Sequence, residues 1–220
     1  MKSILSTKKL TSSQKKMFQN LDISVIDYDA IEINYIDFES PKQIGCGIFT
    51  SQNAVKAFFS DHNRNSSKID RVFCVGEKTK SILEKNGQKV TKMMKTASEL
   101  AGFIKKMHKN DTFYFFCGNL RRDEIPSALK TEEIANFEVK TYQTILKTVK
   151  FEQKWDGILF FSPSGVQSFC IENEIDNSTA FCIGKTTSSE VIKHTNNIFE
   201  AESTTIESVI EKTISLLNKT

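Results

Sequence analysis

Residues 48–55 read Ile-Phe-Thr-Ser-Gln-Asn-Ala-Val, and residues 159–166 read Leu-Phe-Phe-Ser-Pro-Ser-Gly-Val. Each segment combines an apolar strand pattern, a polar turn and the beginning of a helix. A second pair, residues 72–79 and 180–187, matches Val-Phe-Cys-Val-Gly-Glu-Lys-Thr with Ala-Phe-Cys-Ile-Gly-Lys-Thr-Thr. The offset is 111 residues in the first pair and 108 in the second. We therefore expect the chain to contain the same series of strands, turns and helices twice.

Strand and helix patterns alternate along the whole chain. Strand patterns cover 2–6, 23–36 with a break, 46–50, 71–75, 112–117, 136–149 with a break, 157–161 and 179–183. Helix patterns cover 10–20, 52–60, 77–86, 97–108, 122–131, 164–174, 186–195 and 205–218, and Ser98 and Thr204 or Thr205 are the expected N-caps of two of them. This alternation predicts an α/β fold with parallel sheets covered on both faces. Ligands of such sheets bind at the carboxyl ends of the strands.

Two domain arrangements fit the repeat. Residues 4–6 and 25–31 resemble residues 115–117 and 139–145, so the long runs 23–36 and 136–149 occupy equivalent places. Each run could end one lobe and cross to the other, which would make the lobes discontinuous in sequence. Two consecutive halves are the simpler arrangement, and the pattern alone leaves both open.

Composition excludes several classes of protein. The chain has 220 residues, 39% of them hydrophobic and 26% charged, as in ordinary globular proteins. Its net charge of +3 is too small and too evenly spread to predict a nucleic-acid partner. The sequence lacks a run of roughly 18 apolar residues, and its N-terminus turns polar too early for a secretory signal. Five cysteines without a CxxC pair indicate reduced thiols in a cytoplasmic protein.

The polar turns are candidate anion sites. Residues 50–52 and 162–164 begin predicted helices, where backbone N–H groups bind anions, although serine there is often only an N-cap. Residues 118–126, Gly-Asn-Leu-Arg-Arg-Asp-Glu-Ile-Pro, follow another strand. Asn119 and the two arginines could meet carboxylates, or one arginine could pair with an acidic neighbour. Facing turns on two lobes predict capture of a polyanionic small molecule.

Nucleotide and metal sites are not predicted. Residues 184–186, Gly-Lys-Thr, resemble the end of a P-loop, but Thr179 stands where that motif needs its first glycine. His62, His108 and His194 have no second histidine or cysteine at metal-ligand spacing.

Tyr142 is the candidate acid. It lies in a predicted crossing run, and a phenol with a pKa near 10 stays protonated at neutral pH. It can therefore always donate a proton, although only to a leaving group that departs readily. The alternative is a packed tyrosine whose hydroxyl is simply hydrogen-bonded.

Taken together and in order, these blocks resemble the uroporphyrinogen-III synthase family of tetrapyrrole biosynthesis. The blocks that carry the resemblance are residues 48–55, 75–79, 118–126, 139–144, 160–166 and 183–187. They span about residues 46 to 205, and the N-terminal strand–helix–strand fits the family more loosely.

The resemblance implies two flavodoxin-like α/β lobes joined by a two-stranded linker, with residues 1–34 and 147–220 in lobe 1 and 35–146 in lobe 2. It also implies a lyase that closes hydroxymethylbilane, a linear tetrapyrrole with carboxylate side chains on every ring, to uroporphyrinogen III. Ring D is inverted, by a favoured spirocyclic route, and water is lost. The reaction needs no metal or organic cofactor, and we expect a cytoplasmic monomer that binds neither nucleic acid nor membrane.

The resemblance assigns site residues as well. Tyr142 stands at the position of the family's favoured proton donor. The residues expected to bind substrate around the cleft are Thr50, Ser51, Gln52, Gly76, Thr79, Asn119, Ser162, Gly165, Thr186 and Thr187. One departure from the family is Lys8, where an arginine often follows the threonine of the first strand's end. Lysine supplies charge but cannot form a bidentate fork.

Three other functions compete with this interpretation. One is a non-catalytic, two-lobed binding protein for an anionic small molecule. Another is a duplicated signalling protein. That class carries acidic clusters at its strand ends, where this chain has mainly uncharged residues. The third is a family member that binds tetrapyrroles without turnover, which the presence of Tyr142 argues against.

Overall fold

The computed structural model describes residues 1–64 and 66–217, and strands alternate with helices throughout. The strands are β1 (Lys2–Ser6), β2 (Ile23–Asp27), β3 (Ile31–Tyr35), β4 (Gln43–Phe49), β5 (Lys68–Val75), β6 (Val90–Met94), β7 (Phe113–Gly118), β8 (Asn136–Leu146), β9 (Gly157–Phe160), β10 (Thr179–Cys182) and β11 (Ile198–Glu200). The helices are α1 (Ser12–Lys16), α2 (Gln52–Phe58), α3 (Glu77–Lys85), α4 (Ala97–Met107), α5 (Glu124–Thr131), α6 (Pro163–Cys170), α7 (Lys185–Val191) and α8 (Ile206–Leu217). Residue 218, the predicted end of the last helix, lies outside the described residues.

The chain forms two structural units. Unit 1 contains Met1–Glu32 and Ile145–Thr220, and unit 2 contains Ile33–Thr144. The chain passes from one unit to the other twice, once within β3 and once within β8, and these two strands are neighbours in one sheet.

The sheet of unit 1 has the order β11–β10–β9–β1–β2. All of its neighbouring strands are parallel. Numbered from β1, this is the order 2-1-3-4-5, which is the flavodoxin-like form of the doubly wound fold. The predicted fold class is therefore confirmed for this unit. The topological switch point, where the order reverses, lies between β1 and β9.

The second sheet has the order β3–β8–β7–β4–β5–β6. From β8 to β6 its neighbouring strands are parallel. The same 2-1-3-4-5 order appears here when β7 is counted first, because β4, β5 and β6 precede β7 in the chain. Its switch point lies between β7 and β4. Strand for strand, β7, β8, β4, β5 and β6 correspond to β1, β2, β9, β10 and β11, which confirms the internal repeat.

Helices bury an apolar core on each face of both sheets. In unit 2, Phe49 stacks on Phe116 with their ring centroids 4.8 Å apart, and both rings are fully buried. In unit 1, Phe160 and Phe169 make an edge-to-face pair at 5.7 Å in the corresponding layer. Burial of aromatic rings between layers is what holds each sheet against its helices.

The structure corrects several details of the sequence interpretation. Strands β6 and β11 are absent from the predicted set, and α1 is shorter than the predicted helix over 10–20. Thr96, not Ser98, is the N-cap of α4, because its side chain accepts the Glu99 N–H and Glu99 completes a capping box. Thr205 caps α8 by accepting the Ser208 N–H at 3.2 Å, as predicted.

Candidate active site

Tyr142 lies on β8 with its ring largely buried beside the end of β7. Its hydroxyl donates a hydrogen bond to Ser51 Oγ at 3.0 Å. Burial raises the pKa of Tyr142 above its ordinary value of 10, while the bond to Ser51 acts in the opposite direction and Cys117 adds to the rise. The phenol is therefore protonated throughout the physiological pH range.

Ser51 follows β4 closely and is the N-cap of α2. Its backbone is extended, and its Oγ accepts the Asn53 N–H at 3.1 Å. The same oxygen thus accepts hydrogen bonds from a backbone amide and from Tyr142. Thr50, half-buried, precedes it, and Gln52, exposed, begins the helix. The structure brings Tyr142 and these three predicted residues to the switch-point edge of the second sheet.

Asn119 lies at the same edge, just after β7, but its side chain is engaged with β8. Its Oδ1 accepts the Thr144 N–H at 2.7 Å, and its Nδ2 donates to the Thr144 carbonyl at 3.2 Å. The side-chain amide therefore pairs with the backbone of Thr144 as a strand residue would, and it continues the hydrogen bonding between β7 and β8 past Gly118. A contact between the Asn119 side chain and a substrate carboxylate would have to use the remaining hydrogen of its amide.

The arginines after β7 behave differently from each other. Arg121 forms a bidentate pair with Glu138, with N···O distances of 2.6 and 2.5 Å, and also binds Asp123 at 2.8 Å. These carboxylates raise the pKa of Arg121, with Glu138 as the main cause. The ion-pair alternative is thus the one found for Arg121, and Arg122 is exposed.

Gly76 follows β5 and precedes α3. Its φ of +84° is in the left-handed region, which favours glycine, and a Cβ there would meet nothing within 4 Å. Its N–H is bonded to the Met94 carbonyl at 2.9 Å, and α3 has no side-chain cap. Thr79, in the first turn of α3, is 4% exposed, so its side chain faces the core.

Unit 1 carries the equivalent turns. Ser162 caps α6 by accepting the Gly165 N–H at 3.0 Å, so the N–H of Gly165 is engaged within the turn. Like α3, α7 has no side-chain cap at its N-terminus, where Gly184 precedes it. Thr186 is exposed in its first turn, whereas Thr187 is 2% exposed and donates its N–H to the Gly184 carbonyl.

The turn after β1 already holds carboxylates of the protein. The Lys9 N–H donates to Asp29 at 3.0 Å, and the Leu10 N–H donates to Asp27 at 2.8 Å. Two backbone donors that an anionic ligand could use are therefore occupied. Lys8 and Lys9 are exposed, and the charges of their side chains are features of this turn that could attract an anion.

A cavity of about 550 Å³ lies elsewhere in unit 1. Lys2, Trp155, Asp156 and Thr179 line it, at or just before the amino ends of β1, β9 and β10. Because parallel sheets bind ligands at the carboxyl ends of their strands, the chemistry is expected at the opposite edge.

The family model for uroporphyrinogen-III synthase HemD matches residues 15–211, nearly the whole chain. The chain belongs to the uroporphyrinogen-III synthase family. This is a family of lyases of tetrapyrrole biosynthesis that act on a tetrapyrrole substrate. No curated protein sequence matches the chain significantly.

Solved uroporphyrinogen-III synthases share the fold. The structure from Helicobacter pylori is 18% identical and superposes with a TM-score of 0.72, over 98% of this chain and 100% of that one. A mutant from Thermus thermophilus is 11% identical, with a TM-score of 0.71 and full coverage of both chains. The wild-type Thermus enzyme in another crystal form is 12% identical, with a TM-score of 0.57 over 100% of this chain and 99% of that one.

The described part of this uroporphyrinogen-III synthase family member contains neither a group of side chains suited to bind a metal ion nor a helix that could span a membrane. Residues 1–64 and 66–217 contain no group of three histidine, cysteine or acidic side chains that could hold a metal ion. Over the same residues, no helix is both long enough and apolar enough to cross a bilayer.

Sequence reasoning missed one residue of the Tyr142 environment. Gly118, which opens the motif over residues 118–126, is not among the predicted site residues, yet the ring of Tyr142 lies directly against its backbone. A glycine that ends one strand beside a tyrosine of the next strand is the signal that could have indicated this contact.

Proposed function

We propose that this protein is a uroporphyrinogen-III synthase that closes hydroxymethylbilane to uroporphyrinogen III, with inversion of ring D and loss of water. The observation that carries the proposal is the Tyr142 hydroxyl, bonded to Ser51 beside the switch point of the second sheet, in a member of this family. A switch-point edge is where open parallel sheets bind their ligands.

In the proposed first step, Tyr142 gives its proton to the departing hydroxyl. Lone pairs of the pyrrole nitrogen expel that hydroxyl as water and leave an azafulvene-like cation. Because the substrate itself supplies most of the driving force, an acid as weak as a buried phenol is sufficient. The ring carbon that finally loses a proton can return it to the Tyr142 phenolate, so the reaction balances as loss of one water.

Which isomer of the product forms depends on how the protein holds the substrate rings before closure. Closure at the free carbon of ring D gives the type I product, so the protein has to favour attack at the substituted carbon by holding the rings in place. We propose that the turns at the carboxyl ends of the strands bind the substrate carboxylates through hydroxyl and backbone N–H groups. This arrangement needs no organic cofactor or metal.

The proposed binding residues divide into two groups. Thr50, Gln52, Ser162 and Thr186 are exposed or half-buried, which suits direct contact with substrate carboxylates, whereas Ser51 is half-buried and its hydroxyl is bonded to Tyr142. The second group is buried or already hydrogen-bonded, and we propose that it shapes the turns instead: Gly76, Thr79, Asn119, Gly165 and Thr187.

We further propose a cytoplasmic monomer in which residues 1–34 with 147–220 and residues 35–146 act as two lobes. All five cysteines are free thiols, and four of them are buried, as suits a reducing compartment. The net charge of +3 favours a carboxylate-rich small molecule over nucleic acid.

The rate at which freshly made hydroxymethylbilane disappears tests this proposal against the binding-protein alternative. A synthase accelerates the loss of substrate in proportion to its concentration and turns over many equivalents. A binding protein sequesters at most one equivalent for each site and slows the spontaneous closure. Heat-denatured protein serves as the control, and a rate equal to the spontaneous one would contradict the proposal.

A further inference from the structure

The ring of Tyr142 rests directly on the backbone of Gly118. A Cβ atom added to Gly118 would lie 2.5 Å from both Cε2 and Cζ of the tyrosine and 3.0 Å from Cδ2. Carbon atoms do not approach so closely, so any other residue at position 118 would push the ring off its present place. The β7–β8 register also shifts here, between Cys117 and Gly118, which pairs Gly118 with Tyr142.

Ser51 fixes the other end of the tyrosine. Its Oγ is held by the Asn53 N–H at 3.1 Å, and it accepts the Tyr142 hydroxyl at 3.0 Å. A serine hydroxyl can accept two hydrogen bonds and can also donate one, and its hydrogen rotates freely. The Asn53 bond therefore anchors the oxygen without preventing Ser51 from acting as a donor.

The other copy of the repeat has a threonine at the position of this glycine. Thr7 corresponds to Gly118 and Tyr28 to Tyr142. The Thr7 side chain lies near Gly165 at the start of α6, and the Tyr28 ring packs on Phe151 with centroids 5.2 Å apart. Within the described residues the buried Tyr28 hydroxyl has no hydrogen-bond partner. Both copies thus carry a tyrosine, and only the copy with glycine presents its hydroxyl to the serine of the neighbouring turn.

We propose that Gly118 and Ser51 are positioning residues for Tyr142: Gly118 by leaving room for the ring, and Ser51 by holding its hydroxyl at the end of β4. The proposal rests on the proposed function, because it assigns these residues to the proton donor of that reaction. Once Tyr142 has given its proton to the departing hydroxyl, the Ser51 hydrogen rotates and donates to the phenolate oxygen. The proton that returns from the ring carbon restores the starting arrangement.

Substitution of Ser51 and Gly118 tests this role in the full-length protein. We expect Ser51→Ala to lower kcat by about tenfold, the usual worth of one lost hydrogen bond, with KM changed by less than about twofold. Ser51→Thr should restore most of kcat, because threonine keeps both the hydroxyl and the helix cap. Gly118→Ala should also lower kcat by displacing the ring.

Each variant has a matched control. Thr96→Ala removes an N-cap of α4 in the same unit, far along the chain from Tyr142, and so reproduces the loss of a cap alone. Gly45→Ala adds a methyl group to β4 at a position where a Cβ would meet nothing within 4 Å. Both controls should keep the wild-type kcat.

The Cζ carbon resonance of Tyr142 supplies a readout that a merely structural role would not move. The chain has four tyrosines, so tyrosine-labelled protein gives four such resonances, and Tyr142→Phe identifies the one of interest. At neutral pH and without substrate, Ser51→Ala and Gly118→Ala should shift this resonance, and Thr96→Ala should not.

Two results separate the possible failures. If the kcat of Ser51→Ala equals that of Thr96→Ala, or if Ser51→Ala leaves the Tyr142 resonance unshifted, Ser51 does not position Tyr142, even where the protein is an active synthase. If the wild-type protein produces no uroporphyrinogen III at all, the proposed function is wrong instead.

Discussion

Burial and one hydrogen bond determine what Tyr142 can do. Removal of its hydroxyl from water raises the pKa above 10, so the phenol retains its proton throughout the physiological pH range. It can then act as an acid without help from a second titrating group. Tyr142 can act as a base only after it has donated its own proton and become a phenolate.

Tyr142→Phe tests the acid directly. Phenylalanine keeps the ring on Gly118 and removes only the hydroxyl, so the fold and the substrate contacts of the turns should be retained. General acids are worth about 100-fold or more, and a leaving group that departs readily should reduce the loss in kcat below that range, to about 10- to 100-fold. We expect the affinity for uroporphyrinogen III, measured by titration, to stay close to the wild-type value.

Turnover that is unchanged in Tyr142→Phe would mean that water or another group protonates the hydroxyl. A large loss of product affinity would mean that the phenol binds the tetrapyrrole and does not act mainly as an acid.

At the residue level the sequence predicts the identity of the candidate acid but not its surroundings. Ser51 and Tyr142 are 91 positions apart, and only the pairing of β4, β7 and β8 brings them within 3.0 Å. The motif around Asn119 predicts a contact with substrate. Its bonds to the backbone of Thr144 could not be predicted, since they depend on the register of a strand 25 residues away.

At the level of elements, the repeat determines which turns are alike. Both α2 and α6 are capped by a serine at their N-termini, and both α3 and α7 follow a glycine and lack a side-chain cap. The matched sequences predict this pairing, because the cap residue and the strand before it are local features. Uncapped first turns leave N–H groups for an anion or for water.

The strands that the sequence does not reveal are both at sheet edges. β6 reads Val-Thr-Lys-Met-Met and β11 reads Ile-Phe-Glu, and neither is fully buried. Edge strands are covered on fewer sides, so their residues need not follow an apolar pattern. The buried central strands, in contrast, are all predicted by their apolar runs.

Asn119→Ala tests the junction between β7 and β8. The change removes both hydrogen bonds to Thr144 and leaves its backbone groups without those partners. We expect the free energy of unfolding in urea to fall by about 1–3 kcal/mol. Asn119→Asp is the matched variant: it keeps an acceptor for the Thr144 N–H but places a carboxylate oxygen against the Thr144 carbonyl, so at neutral pH its loss should be at least as large.

Equal stability of Asn119→Ala and the wild type would show that β8 is held by its neighbours alone. In that case Asn119 would be available to the substrate, as the family resemblance implies.

At the scale of the whole molecule, each unit has a carboxylate whose pKa lies below its ordinary value. In unit 2, the Arg71 guanidinium bonds Asp111 at 2.8 Å and is the main cause of its lowered pKa, with His108 adding to it. In unit 1, the Ser3 N–H bonds Asp156 at 2.7 Å and is the main cause there. Both groups are partly exposed, so their effects are screened by solvent.

Acid should therefore destabilise both units. A carboxylate whose folded pKa is below its unfolded value stabilises the fold above the unfolded pKa, near 4, and this stability is lost as the pH falls through the folded pKa. We expect the urea midpoint to drop between about pH 4 and pH 2, and the drop should be shallower in Asp111→Asn, which has no proton to bind. A midpoint that does not change over this range would contradict the assignment.

The two units repeat one architecture, and the crossing strand β8 carries the candidate acid. The apolar patterns alone leave open whether the halves are consecutive or discontinuous, because they do not show which strands become neighbours. Membership of the family and the strand order of each sheet make the duplicated fold plain. The function then depends on whether these turns hold the substrate so that ring D closes in the inverted sense.

The isomer of the product is the most direct test of that claim. Purified protein is incubated with freshly made hydroxymethylbilane, the product is oxidised, and the porphyrin isomers are separated. We expect a large excess of the type III isomer over a control without protein. Type I isomer alone, formed at the spontaneous rate, would contradict it.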